Sequence, residues 1–372
     1  MVVRTRVARH RGAPCLGVWP ATPFAGRASV GPVSVERVFD RLAELYAIGG
    51  GPGANRVFGS AEEDAAHELA RGWLQEAGLD VEADAAGNLF GHVPGTGPAV
   101  WTGSHLDTVP QGGKFDGALG VVAAIEAVDR VRRGSVVVFR GEEVGCVGSR
   151  ARAELGQLPG AFLEVHVEQG PRLALADVPL GVVTGIVGYA RGEVVVDGAA
   201  GHAGTTPMDA RDDALVRAAR RILDLEEAAR RTPGAVATVG RISVEPGGVN
   251  VIPGRVTYSV DVRAPDEARL AELIEAAGID GSHAAPPTGM SPVVVEVLRA
   301  AVDTRGLPVV ELSSGAGHDA GVLARAGVPT GMLFVRSLNG GVSHSPDELS
   351  SEEDVALAVD VVADALERLT RG

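Results

Sequence analysis

The sequence predicts an α/β fold that is interrupted by a smaller α+β insertion, and three observations predict it. Short apolar strands alternate with amphipathic helices between residues 89 and 140, the order that builds an at least partly parallel sheet. Residues 186–287 then follow the order strand, helix, strand, strand, helix, which is typical of a separate α+β module. The first pattern returns after residue 288. We therefore expect one discontinuous domain of residues 33–185 plus 288–372 and an inserted domain of residues 186–287.

Capping residues and apolar spacing place the individual elements. Ser34 precedes a helical run that reaches Tyr46, and Ser60 precedes a second helix that ends at Gly78. In the rest of the chain, apolar runs and periodicity predict strands at 89–93, 99–102, 135–140, 235–242, 255–263 and 330–335, and helices at 120–132, 213–229, 266–277 and from 351.

The composition excludes several classes of protein. The chain has 34 basic and 48 acidic residues and a net charge of −14, so we do not expect it to bind nucleic acid. No apolar run is long enough to span a bilayer, and we expect no membrane partner. The two cysteines, Cys15 and Cys146, are too few for a disulfide framework and favour a cytoplasmic location.

The first 32 residues differ in composition from the rest. They contain no acid, and Arg4, Arg6, Arg9 and Arg11 cluster there as they would in a transit peptide. No signal-type apolar core follows, and four prolines interrupt any long helix. We therefore expect residues 1–32 to form a disordered extension.

Polar residues collect where the predicted strands end. The segment GSHLDTVPQGGKFDGALG, residues 103–120, places His105 and Asp107 at the end of one strand and Asp116 on the glycine-rich loop that follows. Imidazole is a good ligand for zinc, manganese or cobalt, and a metal-bound histidine usually donates its other N–H to a carboxylate such as Asp107. This patch alone is weak evidence, because a solvated turn with an incidental histidine has the same composition.

Three further strand ends carry the same residue types. Glu142 and Glu143 follow the apolar run SVVVF. His166 lies near the end of FLEVHVEQG, and His344 follows the strand at 330–335. Sites in open α/β sheets form at the carboxyl ends of the strands. Four such ends therefore predict a metal site built from these side chains.

Seven motifs follow one another along the chain: GSHLDTVPQGGKFDG, GEEVG…GSR, EVHVEQGP, GHAGTTPM, NVIPGRVTYSVDVR, SGAGHDA and GGVSHSPDE. In these motifs the chain resembles the dinuclear metal amidohydrolases of the aminoacylase and glutamate-carboxypeptidase type. It resembles most the hydantoinase/carbamoylase branch, which contains N-carbamoyl-L-amino acid hydrolases, β-ureidopropionases and allantoate amidohydrolases. The resemblance runs from about residue 34 to the C-terminus. It implies a mixed-sheet, metallopeptidase-type catalytic domain with an inserted lid and dimerisation domain.

The resemblance implies a role for each matching residue of the catalytic domain. Two divalent metal ions, Zn²⁺, Mn²⁺ or Co²⁺, would be bound, and Asp107 would orient a histidine ligand. Glu142 would be the general base that takes a proton from the attacking water. One metal ion would be held by His105, Asp116 and His166, and the other by Asp116, Glu143 and His344.

The inserted domain would complete the site. His202 in GHAGTTPM would reach across to stabilise the oxyanion, and Asn250 and Arg263 would bind the carboxylate of the substrate. Gln169 would line the same pocket. The expected partners are a small ureido acid and a second copy of the chain in a homodimer. Closure of the inserted domain would exclude water.

The residues themselves leave several alternatives open. Glu143 is as good a candidate for the base as Glu142. His202 fits a structural histidine in a tight turn, and Arg263 fits an ion pair with a neighbouring aspartate.

Further expectations concern residues near the site. His318 and Asp319 of SGAGHDA are expected to pack behind it, and Cys146 to be a small buried residue. The resemblance implies a cis peptide bond between Asp116 and Gly117. The segment at 151–162 is shorter than in the family, which affects the rim of the pocket and hence the choice of substrate.

The resemblance implies hydrolysis of the ureido C–N bond of an N-carbamoyl-L-amino acid, with release of ammonia and CO₂. Allantoate is the nearest alternative substrate, and a peptidase or an N-acyl amino acid hydrolase is a more distant alternative. A non-enzymatic binding protein of the same fold belongs to another class. Glu142 argues against it, because a binding protein needs no base.

Overall fold

The computed structural model describes residues 34–96 and 100–371. The expected extension at residues 1–32 lies outside these described residues. Within them, no helix combines the length and the apolar character needed to cross a bilayer. The described α-helices are α1 (Val35–Ala47), α2 (Ala61–Glu76), α3 (Ala118–Val131), α4 (Val147–Leu155), α5 (Arg172–Ala176), α6 (Ala214–Arg231), α7 (Glu267–Ala277), α8 (Pro292–Asp303), α9 (Asp319–Arg325) and α10 (Glu352–Arg371).

Helices begin where the sequence offers capping side chains. Ser34 and Ser60 each accept a hydrogen bond from a main-chain N–H three residues further on, at the starts of α1 and α2. Asp213 and Asp266 cap α6 and α7 through their carboxylates. These helix starts follow from local chemistry, which is why the sequence predicted them.

The strands form one large sheet, one smaller sheet and a short ribbon. Largely apolar runs form the central strands of the large sheet, which are buried on both faces. The strands are β1 (Asp80–Ala83), β2 (Leu89–His92), β3 (Val100–His105), β4 (Ser135–Phe139), β5 (Ala161–Val167), β6 (Leu180–Ile186), β7 (Gly188–Asp197), β8 (Gly201–His202), β9 (Val236–Thr238), β10 (Ile242–Glu245), β11 (Val251–Ile252), β12 (Arg255–Ala264), β13 (His283–Ala285), β14 (Thr288–Gly289), β15 (Glu311–Ser314) and β16 (Thr330–Val335).

The large sheet is mixed. Its order is β1-β2-β4-β3-β5-β16-β6-β14, and β15 also pairs with β6. The central strands β4, β3, β5 and β16 run parallel to one another. The buried helix α3 lies against β3 and β5 and packs on α10. The sequence-based prediction of an α/β fold is confirmed.

The smaller sheet has the order β10-β12-β7-β13, with β9 also paired to β12. Buried and partly exposed residues alternate along β12, as in a strand with one face on a core. That core is separate from the core of the large sheet and is covered by α6 and α7. Both sheets therefore have their own apolar core.

One predicted strand is divided in the structure. Residues 235–242 form β9 and the start of β10, and Gly240 lies between them. Both strands pair with β12, but with different stretches of it. Glycine weakens a strand interior, which explains the interruption that apolar patterning did not predict.

Candidate active site

The strand ends at the centre of the large sheet carry the site. His105 is the last residue of β3 and His166 the last but one of β5, while Glu142 and Glu143 follow β4 and His344 follows β16. Because these four strands are adjacent and parallel, their carboxyl ends lie at one edge of the sheet. The structure therefore brings together the side chains that were predicted from four separate strand ends.

Asp116 lies at the centre of these side chains. Its Oδ1 is 3.2 Å from His166 Nε2 and 3.8 Å from His105 Nε2. Its Oδ2 is 3.2 Å from His344 Nε2 and accepts a hydrogen bond of 3.0 Å from Gln169 Nε2. Burial opposes the charge, but contacts with His166 and His344 hold the pKa of Asp116 well below its usual value. We define the Asp116 group as His105, Asp116, Glu142, Glu143, His166 and His344.

The turn after Asp116 requires glycine. Gly117 has a φ of +64°, and a Cβ at this position would lie 2.5 Å from the His105 ring. The expected cis bond between Asp116 and Gly117 is wrong, since among the described residues only the Glu245–Pro246 bond is cis. The left-handed conformation of Gly117 turns the chain into α3 with a trans peptide bond.

Two buried histidines direct unpartnered nitrogens at Asp116. His105 Nδ1 lies 3.1 Å from the main-chain oxygen of Asp107, and His166 Nδ1 lies 2.9 Å from that of Val167. These contacts assign one N–H to Nδ1, so each Nε2 carries a lone pair whenever the ring is neutral. Neither Nε2 has a hydrogen-bond partner. Buried lone pairs beside a carboxylate are the environment that a bound divalent cation needs.

Two sets of three residues in the Asp116 group have the spacing of metal ligands. The ligand atoms within each set lie within 4.8 Å of one another. Asp116 belongs to both sets, and its two oxygens face different imidazoles. The sets are His105, Asp116 and His166, and Asp116, Glu143 and His344.

Asp107 supports both a histidine and the two glutamates. Its carboxylate accepts hydrogen bonds from the N–H groups of Glu142 and Glu143 at 3.0 and 3.1 Å. Its Oδ1 lies 3.3 Å from His105 Nδ1. Because β3 ends at His105, Asp107 makes this contact from the loop and not from the strand end where the sequence placed it.

The adjacent glutamates face different partners. Glu143 Oε2 lies 3.5 Å from His344 Nε2, within the second ligand set. Glu142 Oε2 lies 3.9 Å from His105 Nε2, and Glu142 Oε1 lies 3.8 Å from His318 Nδ1. Burial raises the pKa of Glu142 well above its usual value. The geometry thus distinguishes two glutamates that the sequence alone did not.

Buried polar residues surround the Asp116 group. The rings of His318 and His166 are 4.5 Å apart, and Asp319 accepts a hydrogen bond of 2.6 Å from Ser149. Burial raises the pKa of Asp319 to about 8. Sequence reasoning missed Glu164, which forms a third ligand-like set with His166 and His318. Cys146 is buried, as expected.

Glu348 joins the two loops that carry Asp116 and His344. Its Oε2 accepts hydrogen bonds from the N–H groups of Phe115 and Asp116, and its Oε1 accepts one from Ser343 Oγ. Sequence reasoning did not assign Glu348 a role, although the residue ends the motif GGVSHSPDE. The sequence gave no signal for the contact with Asp116, because the two residues lie 232 positions apart in the chain.

A cavity of about 470 Å³ lies between the loop after β5 and the smaller sheet, and it is linked to the Asp116 group through Gln169. Gln169 lines this cavity and bonds to Asp116. Arg263 also lines it, and its guanidinium donates to the Asp261 carboxylate and to the carbonyl of Gly315. The ion pair that the sequence left open for Arg263 is therefore formed at the cavity wall.

The structure does not bring His202 and Asn250 to the Asp116 group within one chain. His202 lies on β8 and pairs with Val251 of β11, and Asn250 is the residue before β11. Both are exposed, and His202 Nδ1 accepts a hydrogen bond from the N–H of Gly204. Among the described residues, neither side chain has a hydrogen bond or ion pair with a member of the group.

The large sheet is mixed, and buried imidazoles and carboxylates lie at the ends of its parallel strands. This combination of fold and site is typical of metal-dependent hydrolases. The chain belongs to peptidase family M20/M25/M40, whose profile matches residues 101–368.

Individual relatives cover almost the whole chain. An N-carbamoyl-L-amino acid amidohydrolase of Geobacillus stearothermophilus is 37% identical over 91% of this chain and 99% of its own length. A probable allantoate deiminase of Oryza sativa subsp. japonica is 33% identical over 85% of this chain and 84% of its own. A solved amidase of the hydantoinase/carbamoylase family from Burkholderia multivorans superposes with a TM-score of 0.81 at 30% identity, over 91% of this chain and 98% of that chain.

Proposed function

We propose that this protein is an amidohydrolase that removes the carbamoyl group from an N-carbamoyl-L-amino acid or a similar ureido acid. One water is consumed, and the products are the free amino acid, CO₂ and ammonia. The observation that carries the proposal is the Asp116 group, in which two buried imidazole nitrogens face the Asp116 carboxylate without a hydrogen bond and the Glu142 carboxylate lies 3.9 Å from one of them. The names of the relatives support this substrate class.

The proposed cofactors are two divalent cations. Such a pair polarises the scissile carbonyl and lowers the pKa of water. Imidazole and carboxylate ligands suit Zn²⁺, Mn²⁺ and Co²⁺ alike. The proposed ligands are His105, Asp116 and His166 for one ion and Asp116, Glu143 and His344 for the other.

Glu142 is the proposed general base. It belongs to neither of those two ligand sets, so its carboxylate is available to take a proton from the attacking water. Its raised pKa suits a group that afterwards delivers this proton to the departing nitrogen. Asp107 supports this role by holding the main chain of Glu142 and the ring of His105.

The substrate is proposed to bind in the cavity that is linked to the Asp116 group through Gln169. Gln169 would contact the ureido group, since it bonds to Asp116 and lines the cavity. The planar guanidinium of Arg263 would bind the carboxylate in a two-pronged contact, exchanging its present bond with Gly315 for the substrate. Asn250 would join this contact when the inserted domain closes.

His202 is proposed to stabilise the oxyanion across the interface of a homodimer. It is exposed and, among the residues described, makes no contact with the Asp116 group of its own chain. A residue that serves a second subunit has to be exposed in this way. We also propose a cytoplasmic location, because the chain has only two cysteines.

Hydrolysis of allantoate is the second candidate function. Relatives named allantoate deiminase match this chain at 33% identity over most of its length. Allantoate carries ureido groups and a carboxylate, so the same cavity and the same Arg263 would serve it.

Ammonia release by the purified protein tests the proposal. The panel contains N-carbamoyl-L-amino acids, 3-ureidopropionate, allantoate, N-acetyl amino acids and dipeptides, each with added Mn²⁺ or Zn²⁺ and with a chelator as control. We expect chelator-sensitive ammonia from one ureido compound, and the highest kcat/KM identifies the substrate. Free amine from dipeptides or N-acetyl amino acids without any ammonia would replace the proposal by a peptidase or acylase.

A further inference from the structure

Arg56 is an arginine with no exposed surface beneath the Asp116 group. Its Nε donates to the carbonyl of Leu106, the residue between His105 and Asp107, at 2.8 Å. Its Nη1 donates to the carbonyl of Leu45, near the end of α1, at 2.8 Å. One guanidinium therefore connects the loop that follows β3 to helix α1.

The segment around Arg56 is paired with the same loop. The N–H of Arg56 donates to Thr108 Oγ1 at 2.9 Å, and the N–H of Thr108 donates to the Arg56 carbonyl at 3.0 Å. Ala54 and Gly112 exchange both of their main-chain hydrogen bonds, at 2.9 and 2.8 Å. Gly53 fits only without a side chain, since a Cβ there would lie 2.6 Å from the Gln111 backbone. Residues 53–56 thus hold the loop of residues 106–112 along its length.

A buried guanidinium needs compensating charge. Burial lowers the pKa of Arg56 to about 10, and the carboxylates of Asp107 and Asp116 oppose this shift. The group therefore stays charged at neutral pH. Its Nη2 has no hydrogen-bond partner, so two carbonyls do not account for the whole guanidinium. Electrostatic attraction to Asp107 and Asp116 is therefore needed to stabilise the buried charge.

We propose that Arg56 is a positioning residue for the metal centre: it fixes the loop that follows His105 and carries Asp107, and its charge offsets the negative charge of Asp107 and Asp116. This inference rests on the metal ligands proposed above. A residue that only tied α1 to the sheet would affect stability alone. A positioning residue also affects how tightly and in what geometry the metal is bound, because groups that support ligands set metal affinity.

Metal binding by Arg56 variants tests the inference. Arg56→Met is expected to bind Co²⁺ and Zn²⁺ about 10- to 100-fold more weakly than the wild-type protein, measured by competition with a chromophoric chelator. The visible absorption of bound Co²⁺ is expected to change, since the ligand geometry changes. Arg56→Lys keeps the charge and is expected to recover part of the affinity.

Arg41→Met is the matched control. Arg41 is a buried arginine of α1 that pairs with Glu126 and lies over the Trp73 ring, with no contact to the loop of residues 106–112. Its removal is expected to lower the thermal midpoint while leaving the Co²⁺ affinity and spectrum unchanged. Wild-type metal affinity in Arg56→Met, or an equal loss in Arg41→Met, would overturn the inference. A wild-type protein that binds no metal would instead overturn the proposed metal centre.

Discussion

The two glutamates that follow β4 face opposite sides of the Asp116 group. Glu143 lies beside His344, whereas Glu142 lies between His105 and His318. Asp107 accepts a hydrogen bond from the N–H of each glutamate. The same carboxylate therefore holds both main chains in place. The two side chains point in different directions, so Glu143 lies in a proposed ligand set and Glu142 lies outside both sets.

Replacing Glu142 by Gln is expected to lower kcat about 100- to 10,000-fold, because an amide cannot accept the proton of the attacking water. The metal content should not change, since Glu142 lies outside the two proposed ligand sets. The matched variant Glu143→Gln should bind metal more weakly. Steady-state kinetics and metal analysis of the dialysed proteins measure both effects. Full turnover by Glu142→Gln would exclude Glu142 as the base.

The imidazoles proposed as ligands hold protons more tightly than free histidine does. Burial lowers the pKa of His105 and of His166, but the nearby carboxylates outweigh burial, and both pKa values lie above 6.5. The contact with Asp116 raises the pKa of His344 as well. Without metal, these rings therefore carry protons at a higher pH than an isolated histidine.

Metal affinity is expected to fall as the pH is lowered from about 8 to 6, because the metal must displace protons from its ligands. With raised pKa values, the fall should begin above pH 6.5. Binding should release protons, which titration calorimetry in buffers of different ionisation enthalpy measures. An affinity that stays constant over this range would contradict the assignment of the histidines as ligands.

At the scale of elements, parallel strands set the ligand positions level with one another. His105 of β3 is in register with Phe139 of β4, and His166 of β5 with Phe334 of β16. The loops then carry the remaining ligands, and Glu348 links the loop of Asp116 to that of His344. The site thus depends on the strand ends and also on the hydrogen bonds of Glu348 that hold the two loops together.

Glu348→Gln is expected to lower the free energy of unfolding by about 1–3 kcal/mol, because a buried carboxylate accepts hydrogen bonds from two N–H groups. Urea denaturation of the metal-free protein measures this change. The control is Glu353→Gln on the exposed first turn of α10, which should stay within about 0.5 kcal/mol of the wild type. Equal effects in the two variants would show that the connection through Glu348 adds no stability.

At the scale of the whole molecule, the groups proposed to bind the substrate come from both sheets. Gln169 follows β5 of the large sheet, while Arg263 lies on β12 of the smaller one. His202 lies on β8 and Asn250 directly before β11, and among the described residues neither side chain has a hydrogen bond or ion pair with the Asp116 group. We therefore propose that closure of the inserted domain and a second copy of the chain complete the site.

Complementation between two inactive variants tests the composite site. His202→Ala and Glu142→Gln are each expected to be inactive alone. Co-expressed with different tags, they should recover about one quarter of the wild-type activity, because half of the dimers are mixed and each has one intact site. His283→Ala, another exposed histidine of the inserted domain, is the control and should keep its activity. No recovery in isolated mixed dimers would show that His202 does not act across an interface.

The whole chain is also shorter than its relatives. The alignment with the Geobacillus enzyme spans 406 positions, of which this chain supplies about 339. Only residues 156–160 connect α4 to β5. The sequence-based expectation of a shortened pocket rim at 151–162 stays a prediction, and the substrate panel is the experiment that bears on it.

The sequence by itself determined what depends on local chemistry. Ser60 and Asp213 start helices through their own side chains, and the apolar runs before His105 and His166 end as strands, so both histidines were predicted at one sheet edge. Motif order and composition then indicated the family. These features depend on residues that are close in the sequence, so they can be predicted without the tertiary structure.

The tertiary structure decided what depends on contacts between distant residues. Arg56 meets Leu106 across 50 positions, and Glu348 meets Asp116 across 232, so no local pattern predicted either role. The difference between Glu142 and Glu143 depends on which neighbours surround each side chain. The need for glycine at position 117 depends on the close approach of this turn to the His105 ring. The sequence specifies which side chains are present, but the tertiary packing determines which distant side chains come into contact.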